Sequence, residues 1–255
     1  MIQSVHKAMR ILSVIANGKS APVSLARIAQ ETGWPKPTCA HIVETLCQDG
    51  YVQRVSHSEG YRLGPALYHL TRYGRYDEEL ISLCHPVLKW MERTAQATAM
   101  LAVVENGQKF IIDYVDTEPK MFPEYQQIRK DDLYRTASGR VILSRMDRAQ
   151  AEEIYRQYGA PPPGAWDGVT SWDSLCRELE RIRSQPTASV QNASTTGIAC
   201  ALMHGSVCLG AVGLGWLHDS LTEEALRVQR RRAEQTLLRG TREIERRLSY
   251  QADET

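Results

Sequence analysis

A chain of 255 residues, 42% apolar and 24% charged with a net charge of +1, holds enough material for one large domain or two ordinary ones. That composition excludes low complexity and a long disordered tail, and no apolar run approaches the roughly 18 residues that a membrane-spanning helix needs. The six cysteines (Cys39, Cys47, Cys84, Cys176, Cys200, Cys208) are scattered without a CxxC pair, which points to reduced thiols in a cytoplasmic protein rather than a disulfide frame or a zinc site.

The opening "MIQSVHKAMRILSVIANG" interleaves charge with apolar residues at helical spacing, unlike a secretory leader. Ser4 is expected to cap a helix with Val5, Ala8, Met9, Leu12, Ile15 and Ala16 inward, ending at Gly18. Ser24 is expected to cap "LARIAQET", with Leu25, Ile28 and Ala29 inward and Gly33 as its stop. Pro37 fits the first turn of a third helix, where a missing N–H costs nothing. Cys39, Ile42, Val43 and Leu46 form its buried stripe, and Asp49-Gly50 ends it. The period then becomes extended: "YVQRV", "SHSEG" and "YRL" predict a hairpin with a Gly-containing loop. After Gly64-Pro65, helical spacing through Leu67, Leu70 and Tyr73 predicts a linker helix and a boundary near residues 78–80.

Beyond it, Leu80, Leu83, Val87, Leu88, Met91 and Ala95 mark a helix. "TAMLAVVE" and "KFIIDYVD" flank the hairpin signal Asn106-Gly107. Asp147 and Gln150 have capping-box spacing for "RAQAEEIYRQYG", and "PPPG" breaks the chain before a helix around "WDSLCRELERIRS". The apolar strands "GIACALM" and "VCLGAVGLG" flank the turn "HGS", and a helix from Glu223 to about Leu248 closes the chain. Strands and helices do not alternate strictly, so an antiparallel sheet with packed helices is expected, an α+β fold.

The first segment, three helices and a two-stranded wing, has the form of a winged helix-turn-helix whose third helix projects into a major groove. Its outward residues Lys36, Thr38, His41 and Thr45, with Lys7 and with Arg54, His57 and Arg62 of the wing, are the candidate contacts to double-stranded DNA. Residues 1–78 carry nine Lys/Arg against six Asp/Glu, a mild positive bias that dimerisation would double. The alternative reading is a protein-interaction module that uses a winged helix without specific DNA binding.

"SVHKAMRIL", "SLARIAQETGWPKPTCAHIVETLCQDGYV", "YRLGPAL", "HPVLKWMERTAQATAMLAVVENGQKFIIDYVD", "RTASGRVIL" and "TTGIACAL" together resemble the IclR family of bacterial transcription regulators, in that family's order and over nearly the whole chain. The resemblance implies a winged helix-turn-helix DNA-binding domain (1–64), a linker helix (65–78) and an effector-binding domain of GAF/PAS-like fold (79–250). It also implies a homo-oligomer, dimer or dimer of dimers, that binds operator DNA and answers to a small-molecule effector, more often as a repressor. Members typically carry Ser before the recognition Thr and then a His-Arg pair; here Pro37, Ala40 and His41 stand there.

For members that bind small oxo-acids, motif matching implies an effector site at the loop and helix start Ala137, Ser138 and Gly139, at Asn192 near Val190, and at Cys200. The family's two serines fall on Gly213 and Gly215, and Arg135 replaces a common His. Arg135 either meets a ligand carboxylate or pairs with Asp131 or Asp132. With most of that polar set gone, a roomier, more neutral pocket is expected, for an effector larger or less acidic than glyoxylate or pyruvate.

Catalysis is not expected. GxSxG, HExxH, GxGxxG and P-loop patterns are missing, and the helix neighbours Cys84 and His85 point about 100° apart. His204 and Cys208 lack matching ligands for a metal, and nothing calls for a cofactor. The basic runs "RVQRRR" and "REIERR" are interrupted by glutamates, which marks a solvated helix face rather than a second DNA patch.

Overall fold

The computed structural model describes residues 2–18, 21–56, 59–73, 76–116, 132–219 and 221–253. The chain divides into two compact units, Met1–Tyr76 and Asp77–Thr255. No helix among the described residues is long and apolar enough to cross a membrane.

In the first unit, α1 (Gln3–Ala16), α2 (Leu25–Thr32) and α3 (Lys36–Gln48) close on a core of Ile11, Val14, Ile15, Val23, Ile28, Cys39 and Val43. Ser24 caps α2 by accepting the Arg27 N–H, and Gly33 ends it in the left-handed region at φ 73°. The start of α1 differs from expectation. Ile2, not Ser4, is its cap residue and offers no side-chain hydrogen bond, while Val5 and Met9 are exposed. The buried residues of α1 all lie in its last six positions, from Ile11 onward.

The wing is β1 (Val52–Ser56) against β2 (Gly60–Leu63). It is fastened to the helices by paired bonds between Val23 and Tyr61, 2.7 and 2.9 Å long. Gly60 makes that approach possible: at φ 106° a Cβ would run into the Val23 carbonyl. Gly60→Ala is therefore expected to cost roughly 2–3 kcal/mol and to loosen the wing first. Hydrogen exchange at the Val23 and Tyr61 amides reads this directly. α4 is described over Pro65–Tyr73, and Asp77 caps the next helix from a left-handed conformation at φ 43°.

The second unit is a five-stranded antiparallel sheet in the order β4-β3-β7-β6-β5. Its strands are β3 (Thr98–Glu105), β4 (Gln108–Val115), β5 (Ala188–Gln191), β6 (Thr195–His204) and β7 (Val207–Leu217). α5 (Glu78–Ala95) and α10 (Glu223–Asp253) cover one face. α6 (Asp132–Arg135), α7 (Ala137–Arg145), α8 (Arg148–Tyr158) and α9 (Trp172–Arg183) lie on the other. Because both faces are covered, β3 reads as a continuous apolar run instead of alternating. The capping box of α8 forms as expected, and Asn106-Gly107 turns β3 into β4 at φ 50° and 73°.

Two arginines hold α7 to its surroundings. Arg183 donates to the carbonyls of Ser144 (2.7 Å) and Met146 (2.9 Å), satisfying the C-terminal end. Arg140 donates to Tyr134 O and Ala165 O and lies 4.3 Å over the Trp166 ring, and burial lowers its pKa to about 10.

Candidate nucleic-acid interface and ligand pocket

At 100° per residue, the buried Cys39, Val43 and Leu46 of α3 leave Pro37, His41, Glu44 and Gln48 as the opposite, exposed stripe. Lys36 is exposed at the helix start, whereas Thr38 is half-buried at the stripe's edge. Thr45 is exposed, but its hydroxyl donates to the His41 carbonyl at 3.1 Å.

The wing cations are preset. Arg54 donates to the Tyr61 hydroxyl at 2.8 Å and lies 5.3 Å over its ring, which raises the arginine's pKa. Arg62 forks onto Gln53 at 3.0 and 3.1 Å, and Lys7 lies 5.6 Å over Trp34. His57 lies outside the described residues. Lys36 and Arg54 line a groove of about 400 Å³ between the starts of α2 and α3 and the wing, with Ser24 and Tyr61 in its walls. The arrangement offers cations to a polyanion around one exposed helix face.

In the second unit a cavity of about 40 Å³ lies between the sheet and the start of α7. Arg135, Ala137, Ser138, Asn192 and Gly213 all line it. Gly139 is buried in the same helical turn, its N–H bonded to the Thr136 hydroxyl at 3.1 Å. Gly215 pairs with Thr98 and Gly197, two residues along β7 from the lining Gly213, and is not itself in the wall.

Cys200 is not brought to the pocket. It packs with Leu202 against the α5–α10 layer, while Ala199 and Ala201 face α7, so the strand's two-residue period puts the thiol behind the sheet. Burial raises its pKa, and burial pushes Cys84 to about 12; both settings keep the thiol protonated, the reverse of an activated nucleophile. His85 bonds Asp113 at 2.9 Å rather than either cysteine.

Gly213 does not leave open space as the chain stands. A Cβ on Gly213 would meet Met100 Cγ at 3.3 Å, so the buried Met100 side chain occupies space that the missing side chain leaves. At about 40 Å³ the cavity is small beside ordinary ligand pockets of about 300–1,000 Å³. The polar surroundings include more than the sequence indicated. Lys109 of β4, only 4% exposed, donates to the Thr136 hydroxyl at 3.0 Å, so two cations, Lys109 and Arg135, stand by the N-terminus of α7.

The helix-turn-helix domain of IclR matches residues 4–56, and the C-terminal domain of the bacterial transcriptional regulator IclR matches residues 76–239. The chain belongs to the IclR family. It is a DNA-binding transcriptional regulator, with the family's helix-turn-helix domain followed by its C-terminal effector domain. Among curated IclR-family relatives, the acetate operon repressor of Salmonella typhimurium is 24% identical over 160 residues, which span 62% of this chain and 58% of the repressor. A crystal structure of an IclR-family regulator from Alicyclobacillus acidocaldarius shares the fold, with a TM-score of 0.70 at 19% identity, covering 96% of this chain and 98% of the other. An IclR homologue from Microbacterium hydrocarbonoxydans, crystallised with 4-hydroxybenzoate, gives 0.62 at 18% identity, covering 94% and 99%.

Within this IclR-family frame, sequence reasoning missed Lys109, Thr136 and Met100. Thr136 carried a signal, a Thr three residues before the Gly139 N–H that it caps. Lys109 carried none, because a lysine near the start of a strand ordinarily faces water. Asp131 and the Asp132 side chain, the alternative partners of Arg135, lie outside what the structure describes.

Proposed function

We propose that this chain is a transcriptional repressor that binds its operator as a homo-oligomer and changes its grip when a small acid enters the cavity beside α7. The observation that carries the proposal is the stripe His41, Glu44 and Gln48 on α3, exposed beside the cation-lined groove while the opposite face of the helix is buried. In this reading Lys36, Thr38, His41 and Thr45 face the duplex, and Lys7, Arg54, His57 and Arg62 hold its backbone.

Exposed apolar residues support self-association. Ile2, Val5 and Met9 of the first unit are 71, 53 and 58% exposed at near-helical spacing, and Tyr68 and Leu70 on α4 are exposed as well. A second copy would bury them and double the positive charge at DNA. Sedimentation of the full chain reads the assembly.

The cations and helix N-terminus favour an acid as effector, and Gly213 with the flexible Met100 favours one larger than glyoxylate or pyruvate. Arg135, Ala137, Ser138, Gly139, Asn192 and Gly213 would surround it, and Thr136 would fix the turn. The bound 4-hydroxybenzoate of the Microbacterium homologue is an acid of this larger kind.

Gel retardation on the DNA upstream of the chain's own gene tests the reading. Sequence-specific retardation that weakens steeply with salt is expected; equal, weak retardation of any duplex favours the interaction module. Titration calorimetry with glyoxylate, pyruvate and aromatic or sugar-derived acids tests the effector. Tight binding of the two small oxo-acids with no response to the larger ones would overturn its size.

A further inference from the structure

Glu44 stands out on the exposed stripe of α3. It is an acid on the face offered to a polyanion, one helical turn beyond His41 and on the same side. It makes no hydrogen bond or ion pair among the described residues. The nearby wing arginine, Arg54, attracts Glu44 through space, but its guanidinium is hydrogen-bonded to Tyr61. Of its neighbours on the face, Pro37 has no donor or acceptor in its side chain, and the Thr45 hydroxyl is turned back onto the helix.

We infer that Glu44 reads a base in the major groove, accepting a hydrogen bond from a cytosine amino group, and so sets operator choice. The inference rests on α3 being the helix presented to DNA. A carboxylate brought against phosphates loses attraction on every sequence. It recovers that loss only where a donor meets it, and among base edges in the major groove the cytosine N4 amino group is a matching donor for Glu. An acid in this place therefore lowers affinity for random duplex more than for the right one, which raises specificity by penalising wrong partners. A glutamate serving only as a solvated helix residue would instead impose the same electrostatic cost on all sequences.

Those two roles predict different results. The full-length protein selects duplexes from a randomised pool. Binding of wild type and Glu44→Gln to the selected duplex, to each of its single base-pair variants and to a scrambled duplex is then measured by fluorescence anisotropy at one salt concentration. Glutamine is isosteric with the glutamate it replaces at this exposed position, so folding is preserved, and a circular dichroism melt verifies this.

The wild type is expected to discriminate by roughly tenfold or more at one G·C pair in each half-site. Glu44→Gln replaces the charged acceptor by a neutral amide that matches adenine, so it should weaken that preference or move it towards A·T at the same position while keeping the others, and should bind scrambled duplex several-fold more tightly. A uniform gain on every duplex, or unchanged preferences at all positions, overturns the role of Glu44 and leaves DNA binding intact. Failure of the wild type to enrich any sequence overturns specific operator binding itself, and the role of Glu44 with it.

Discussion

Thr136→Val is expected to destabilise the second unit by about 2–3 kcal/mol, seen in urea denaturation of the full chain, and to abolish effector binding. Valine keeps the shape and removes one oxygen. That oxygen accepts two hydrogen bonds, from Gly139 N at 3.1 Å and from Lys109 Nζ at 3.0 Å. Losing the helix cap costs about 1 kcal/mol. Removing one acceptor from a buried ammonium adds about 1–2 kcal/mol, since Lys109 is 4% exposed. The pocket suffers as well, because Thr136 fixes the turn from which Ala137 and Ser138 line it. Thr136→Ser keeps the oxygen and is expected to restore both stability and binding. A valine variant within about 0.5 kcal/mol of wild type would show that the hydroxyl holds neither the helix nor the lysine.

The contrast between Thr136 and Lys109 shows how legible the site was. Local chemistry leaves a mark in sequence at fixed offsets. Ser24 before α2, Asp147 with Gln150 at α8, Gly33 after α2 and Asn106-Gly107 between β3 and β4 each act within a few residues, and each forms where its spacing indicates. The exposed face of α3 was legible for the same reason, through its helical period.

What depends on a distant partner was not legible. In β6, apolar residues point to both faces of a doubly covered sheet, so no polar marker tells which side carries Cys200. On α1, Val5 and Met9 continue the apolar pattern of Leu12 and Ile15 but are exposed in the chain alone. The vacancy expected at Gly213 is filled by Met100, a neighbour in space 113 positions earlier in the chain, which no local pattern announces.

Met100 makes the size of the effector a property of one side chain. Met100→Ala is expected to open the cavity beside α7 beyond its present 40 Å³ and to cost about 2–4 kcal/mol of stability without ligand. Ligand pockets ordinarily measure about 300–1,000 Å³, so an acid of benzoate size enters the wild type only if Met100 leaves its place over Gly213. Moving a buried side chain reduces apparent affinity, and the alanine variant is relieved of that cost. In titration calorimetry the variant should therefore bind 4-hydroxybenzoate at least about tenfold more tightly than wild type, with glyoxylate affinity little changed. Ligand should also recover part of the lost thermal stability, because binding to the folded state alone raises it. Equal affinities of wild type and variant for the larger acid would place the binding volume elsewhere. A gain for glyoxylate alone would mean that Met100 excludes small acids and that the pocket is built for ligands of that size.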